Sequence, residues 1–200
     1  MAYQGLIAET VNINGHNGDQ IDAYLARPLG SGPVPGVVLI HHMPGWDDAS
    51  KAMATKLAYN GIATISPNLH FREGKGNSAD NSASVRDAGG MPDDRTMGDV
   101  AAAISYLRSL PYHNGKVGII GFCSGGRQVY LAAGTLSGID AAVDCWGGGV
   151  TAGTDELTYT TENTKDTPQR VLPTFAVIIG GGGVPFDKIG SFNPAMLLSL

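Results

Sequence analysis

No histidine follows His113 in this chain of 200 residues, so imidazole chemistry must come from its first 113 positions. Cysteine is almost as scarce. Two residues, Cys123 and Cys145, supply neither a disulfide framework nor a cysteine metal quartet. Charged residues make up only 16% of the chain, the net charge is -5, and no basic block occurs. That excludes nucleic acid or an anionic membrane surface as the main partner. Hydrophobic runs are all short, and no positively charged start leads into an apolar stretch. Neither a membrane span nor a secretory signal is expected, and the protein is expected to be cytoplasmic. Aromatics, at 7%, are also few, yet the 42% hydrophobic fraction suits one globular domain over residues 1–200.

Glycine is abundant, with 29 residues concentrated late in the chain. The chain opens with two strand patterns, 5–13 and 21–26, separated by the hairpin residues Asn14-Gly15 and Asn17-Gly18-Asp19. After a Pro/Gly/Ser linker at 28–35, short apolar strands alternate with helices. Strands are expected at 36–40, 62–66, 117–120, 141–145 and 174–179. Helices are expected from Asp48 or Ser50 to Tyr59, from Asp93 to about Leu110, and from Arg127 to Ala133. Val100, Ala103, Ile104 and Leu107 form the buried stripe of the long one. Polar loops are expected at 67–84 and 151–170. The alternation describes an α/β domain, a mostly parallel sheet with helices on both faces. Ligands of such sheets bind beyond the carboxyl ends of the strands, here 41–46, 67–72, 121–125 and 145–149.

One of those ends carries reactive chemistry. Gly121-Phe122-Cys123-Ser124-Gly125 is a G-x-C-x-G form of the nucleophile elbow, set between a strand and a helix. The glycines leave room at a strained turn, and the N-terminus of the following helix favours a thiolate. Ser124 is the rival nucleophile, but its frame puts Phe122 where the turn needs a small residue. Cys123 is the better candidate; the plainer alternative is a buried apolar cysteine. His41, His42 and His70 sit at two neighbouring strand ends, but their spacing specifies no metal site. Gly180 to Gly183 lacks the spacing of a phosphate-binding loop, so no cofactor is expected.

Four stretches, VVLIHHMPGWD at 37–47, ISPNLHFREG at 65–74, GKVGIIGFCSGGR at 115–127 and AAVDCWGGG at 141–149, resemble the dienelactone hydrolase family. The resemblance covers about residues 5–149. It implies the α/β-hydrolase fold and hydrolysis of small esters or lactones by a Cys-His-Asp triad. By that resemblance Cys123 is the nucleophile, and the amides of Ser124 and Met43 form the oxyanion hole. Arg72 is then the arginine that holds a substrate carboxylate, and Trp46 lines the substrate site.

Two departures from the family pattern stand out. His42 replaces a glutamate that interacts with the thiol; it is either a pocket-lining residue or a substitute base. The triad acid and histidine belong after the strand at 174–179, in the order nucleophile, acid, histidine. There the chain reads GGGVPFDKIGSFNPAMLLSL, with Asp187 the nearest acid and no histidine. The expectation is an atypical tail over 180–200, with the last strand and helix missing through truncation or a shifted frame. Two functional readings follow: a hydrolase acting through a thioester at Cys123, or an impaired remnant that binds a small carboxylate through Arg72. A thiol sensor would need Cys145 as resolving partner.

Overall fold

The computed structural model describes residues 5–30, 32–74 and 76–148, together with the backbone of a strand at 174–179. Its centre is a seven-stranded sheet in the order β1-β2-β4-β3-β5-β6-β7. The strands are β1 (Leu6–Asn14), β2 (Gln20–Pro28), β3 (Val34–Ile40), β4 (Ala63–Pro67), β5 (His113–Phe122), β6 (Ala141–Cys145) and β7 (Thr174–Ile179). The first two form the expected hairpin, closing on the Asn14–Gln20 pair, and β2 runs antiparallel to β4. All pairings from β4 to β7 are parallel.

Among the described residues four helices cover the sheet: α1 (Asp48–Tyr59), α2 (Ser78–Asp87), α3 (Asp93–Ser109) and α4 (Ser124–Thr135). Alternate residues of β3 serve opposite faces, as the two-residue period of a strand requires. Val38 and Ile40 join Val100, Leu107, Val129 and Leu131 in the larger core under α3 and α4. Leu39 packs with Ala54 and Ala58 of α1 on the other side. The α3 stripe is the expected one, lengthened at its start by Thr96, Met97 and Asp99.

Several boundaries differ from the sequence reading, each for a physical reason. α1 is capped by Asp47, whose carboxylate accepts the Ser50 amide at 2.8 Å, and not by Asp48 or Ser50. The expected loop at 67–84 contains α2, capped by Asn77. That helix buries Asn81, Ser82 and Val85, so it shows almost no apolar period from which to be read. α4 begins at Ser124, three residues before Arg127, because its first turn is the elbow itself. The loop at 151–170, Asp187 and the 180–200 tail lie outside the described residues. No described helix is long and apolar enough to cross a membrane.

Candidate active site

Cys123 stands at the junction of β5 and α4 with φ 54° and ψ -117°, a backbone conformation L-residues seldom adopt. The turn is tied on both sides: the Cys123 amide donates to the Cys145 carbonyl at 2.9 Å, and the Arg127 amide donates to the Cys123 carbonyl at 3.2 Å. The flanking glycines are steric necessities. A Cβ on Gly121 would stand 2.3 Å from the Gly125 carbonyl oxygen, and one on Gly125 would stand 2.5 Å from that of Ile40. Both obstacles are backbone, so neither can swing away. Cys123 is exposed, as a nucleophile must be; Cys145 is buried. Burial, reinforced by neighbouring Asp144, pushes the Cys145 thiol up to about 11, which disfavours it as a resolving thiolate at neutral pH.

A cavity of about 820 Å³ opens beside the elbow. Ser124 and Gly125 at the start of α4 line it with His42, Met43 and His70 from the loops after β3 and β4, and with Val85 of α2, Asp93 of α3 and Arg127 of α4. Neither the Ser124 nor the Met43 amide donates to any described residue. The Met43 carbonyl is held from the opposite side by the Ser82 hydroxyl at 2.5 Å. Ser124 and Gly125 of the elbow, Met43 and His42 thus line one space.

The three clustered histidines separate into distinct environments. His41 is buried and has both ring nitrogens engaged: Nδ1–H donates to the His42 carbonyl at 2.9 Å, and Nε2 accepts the Leu69 amide at 3.2 Å. Burial, with His70 beside it, lowers its pKa to about 3, so it is a neutral strut between β3 and the loop after β4. His70 crosses it edge to face with ring centroids 4.7 Å apart, and burial lowers its pKa as well. His42 is half-buried, and its Nε2 lies 3.0 Å from Asp47 Oδ2. Burial opposes ionisation of Asp47, but the Ser50 amide and the His42 ring outweigh it and hold the carboxyl below its ordinary value. Sequence reasoning missed Asp47, although HHMPGWD places it only five residues beyond His42.

Arg72 and Trp46 are not brought to this cavity. The Arg72 guanidinium grips the buried Asp99 carboxylate through two hydrogen bonds of 2.8 and 3.1 Å, and its Nε donates to Asp19 at 2.7 Å. That fork, led by the bonds to Asp99, raises the Arg72 pKa further and joins the loop after β4 to α3 and to the β1–β2 turn. Trp46 lies in a second cavity of about 1010 Å³, its Nε1–H donating to the Ser66 carbonyl at 2.9 Å and Lys51 over its ring. Among the described residues no group of three His, Cys, Asp or Glu side chains is placed to hold a metal ion.

Asp144, also unforeseen, sits at the end of β6 with its Oδ1 accepting the Gly147 amide at 2.8 Å. Its Oδ2 is buried without a described partner, and burial raises its pKa. The same Oδ1 presses on the first turn of α4, leaving only 2.2 Å for a Cβ at Gly126.

Several known proteins are similar to this chain. The carboxymethylenebutenolidase of Pseudomonas putida is 29% identical over 153 residues, covering 72% of this chain and 63% of its own length. A putative carboxymethylenebutenolidase of Synechocystis is 32% identical over 152 residues, covering 70% of this chain and 61% of its own. The chain therefore spans a little over three fifths of the length of these relatives. A crystal structure described as a putative dienelactone hydrolase of Klebsiella pneumoniae superposes with a TM-score of 0.68 at 21% identity, covering 90% of this chain and 88% of the other. The sequence pattern of the dienelactone hydrolase family matches residues 21–181, and with the elbow and sheet order described above, this chain belongs to that family.

Proposed function

We propose that this chain hydrolyses small carboxylic esters or lactones through a thioester on Cys123. The observation that carries the reading is the strained, exposed Cys123 between two glycines that admit no side chain, next to a cavity lined by Ser124 and Gly125. Strain of this kind persists only where surrounding structure enforces it, and it clusters at working sites. The family and its carboxymethylenebutenolidase members support the reaction class.

In the proposed cycle the Cys123 thiol gives its proton to a base and the sulfur attacks the ester carbonyl carbon. The carbonyl oxygen, now negative, takes hydrogen bonds from the Ser124 and Met43 amides, each worth on the order of 10²–10³ in rate. The C–O bond breaks, the alkoxide leaves with a proton, and water hydrolyses the thioester to acid and free thiol. His42 is the base in this reading. Asp47 holds its Nε2, which leaves Nδ1 to accept the thiol proton and later to activate water.

The second reading is a chain that acylates without turning over, and its motive is the absence of any histidine after His113. Intact-protein mass spectrometry during reaction with a p-nitrophenyl ester separates the two. An acyl mass on Cys123 with continuing nitrophenolate release supports hydrolysis. A single adduct that persists supports the second reading, and no adduct in a folded protein refutes both.

A further inference from the structure

The buried face of α2 is polar, with Asn81 and Ser82 beside Val85. Ser82 is 1% exposed, so its hydroxyl needs a partner inside the protein. The usual partner of a hydroxyl within a helix is the carbonyl four residues earlier. Ser84 of the same helix makes that bond to Asp80, and Thr55, Thr96 and Thr135 do likewise in α1, α3 and α4. Ser82 does not. Its Oγ–H donates instead to the Met43 carbonyl at 2.5 Å, 39 residues back along the chain.

A hydroxyl donates one hydrogen and also accepts. The accepting side of Ser82 Oγ is taken by Arg86 Nη1, which donates at 2.7 Å from one turn further along α2. Arg86 is exposed and has no carboxylate partner among the described residues. A cationic donor on the oxygen polarises the hydroxyl and strengthens the bond it gives. The relay therefore runs one way, from Arg86 through Ser82 to Met43.

The receiving end is a turn with few other ties. The Gly45 amide donates to the His42 carbonyl at 2.9 Å, closing the turn around Met43 and Pro44. His41 Nδ1–H donates to that same carbonyl at 2.9 Å. Pro44 has no amide hydrogen to give, and the Met43 amide has no described acceptor. The bond from Ser82 is thus the one hydrogen bond that Met43 or Pro44 makes among the described residues.

We infer that Ser82, backed by Arg86, is a positioning residue for the oxyanion hole, fixing residue 43 so that its amide meets the reacting carbonyl. This deepens the proposed hydrolysis and rests on it. Neither Ser82 nor Arg86 lines the cavity beside the elbow, so both act through Met43. The physical need is preorganisation: an oxyanion donor contributes its full effect only when it is already aimed at the developing charge. A turn held at its ends alone lets that aim drift, and small misplacements are costly in rate.

Two reactions of Cys123 isolate this role. Acylation by p-nitrophenyl butyrate develops an oxyanion, whereas alkylation by iodoacetamide needs the thiolate but develops none. Both are followed by intact-protein mass spectrometry on the full chain, with a Cys123→Ala variant reporting any modification at Cys145. Ser82→Ala should slow acylation by roughly tenfold or more. Alkylation should keep the parental rate and the parental pH midpoint. Arg86→Met, a change at an exposed position, should give a smaller loss of acylation alone, which Arg86→Lys restores.

Equal acylation by the parent and Ser82→Ala overturns the inference and leaves the hydrolase reading in place. So does a parallel fall in acylation and alkylation, which would mean that the nucleophile itself had moved. An Arg86→Met chain that acylates like the parent overturns the part given to Arg86. If iodoacetamide alkylates Cys123 in the parent but the ester never acylates it, the hydrolase reading fails and the inference falls with it.

Discussion

The turn after β5 and the loop after β4 lie at the carboxyl ends of strands that flank β3, yet they are built in opposite ways. At the elbow the constraint is steric and local: residues 121–125 leave no room for two side chains, and the backbone of residue 123 is forced into an unusual conformation. In the loop after β4 the constraint is electrostatic and long-range. Arg72 reaches 27 residues forward to Asp99 and 53 residues back to Asp19. The first device advertises itself in five consecutive letters. The second uses an arginine that in isolation reads equally well as a ligand-binding group.

Breaking each device should give different signatures, the largest from the ion pair. Arg72→Ala leaves Asp99 as an unpaired carboxylate, 1% exposed, and should cost about 3–5 kcal/mol in chemical denaturation. Removing Asp99 as well should restore part of that loss, while Cys123 alkylation in the folded variant stays near the parental rate. Gly125→Ala puts a Cβ 2.5 and 2.7 Å from the carbonyls of Ile40 and His41. It should destabilise by about 3 kcal/mol and also slow Cys123 acylation, because the nucleophile must move. A Gly125→Ala chain that acylates like the parent would show that the elbow tolerates relaxation.

His42→Ala sharpens the comparison on the chemical side. If His42 takes the thiol proton, acylation should slow by about 10² or more, with Asp47→Asn a milder version of the same change. Unchanged rates in both variants would return His42 to the role of a cavity wall.

Smaller effects come from the buried titrating groups. The folded chain resists protonating His41 until about pH 3, whereas an unfolded chain takes up that proton near 6.5. Between those values the unfolded state binds more protons, so stability rises with pH and is lost on acidification. The slope is up to about 1.4 kcal/mol per pH unit for that histidine. His70 acts in the same direction. Equilibrium unfolding between pH 7 and 4 should show the slope, and His41→Gln should flatten it. Asp144 has the opposite sign: its raised pKa means that the folded state holds the proton longer, and stability falls as pH rises through that window. Asp144→Asn removes the buried charge and can place an amide where Oδ2 lacks a described partner. It should stabilise the chain by about 1 kcal/mol at pH 7, read as a higher melting temperature.

Patterns of period two and 3.6 were enough to read β3, β4, β6, the apolar stripe of α3 and the parallel character of the sheet, since burial on both faces leaves near-continuous apolar strands. α2 escaped because Asn81 and Ser82 fill its buried face, so polar contacts replaced the apolar period. The sequence offered Asp48 or Ser50 as the cap of α1, and only the β-region backbone of residue 47 shows that Asp47, a residue of equal capping chemistry just before them, takes that role.

The candidate site divides along the same line. Cys123 and its glycines follow from sequence alone, because a strained turn between strand and helix restricts residue identity at each step. Which cations are free for a ligand does not follow from sequence. Arg72 and Arg127 are equivalent as letters, and their partners Asp99 and Asp93 lie 27 and 34 residues away. Only the packing of α3 against the sheet brings those carboxylates within reach. Once bound to them, Arg72 ties the loop after β4 to α3, and Arg127 ties α4 to the start of the same helix.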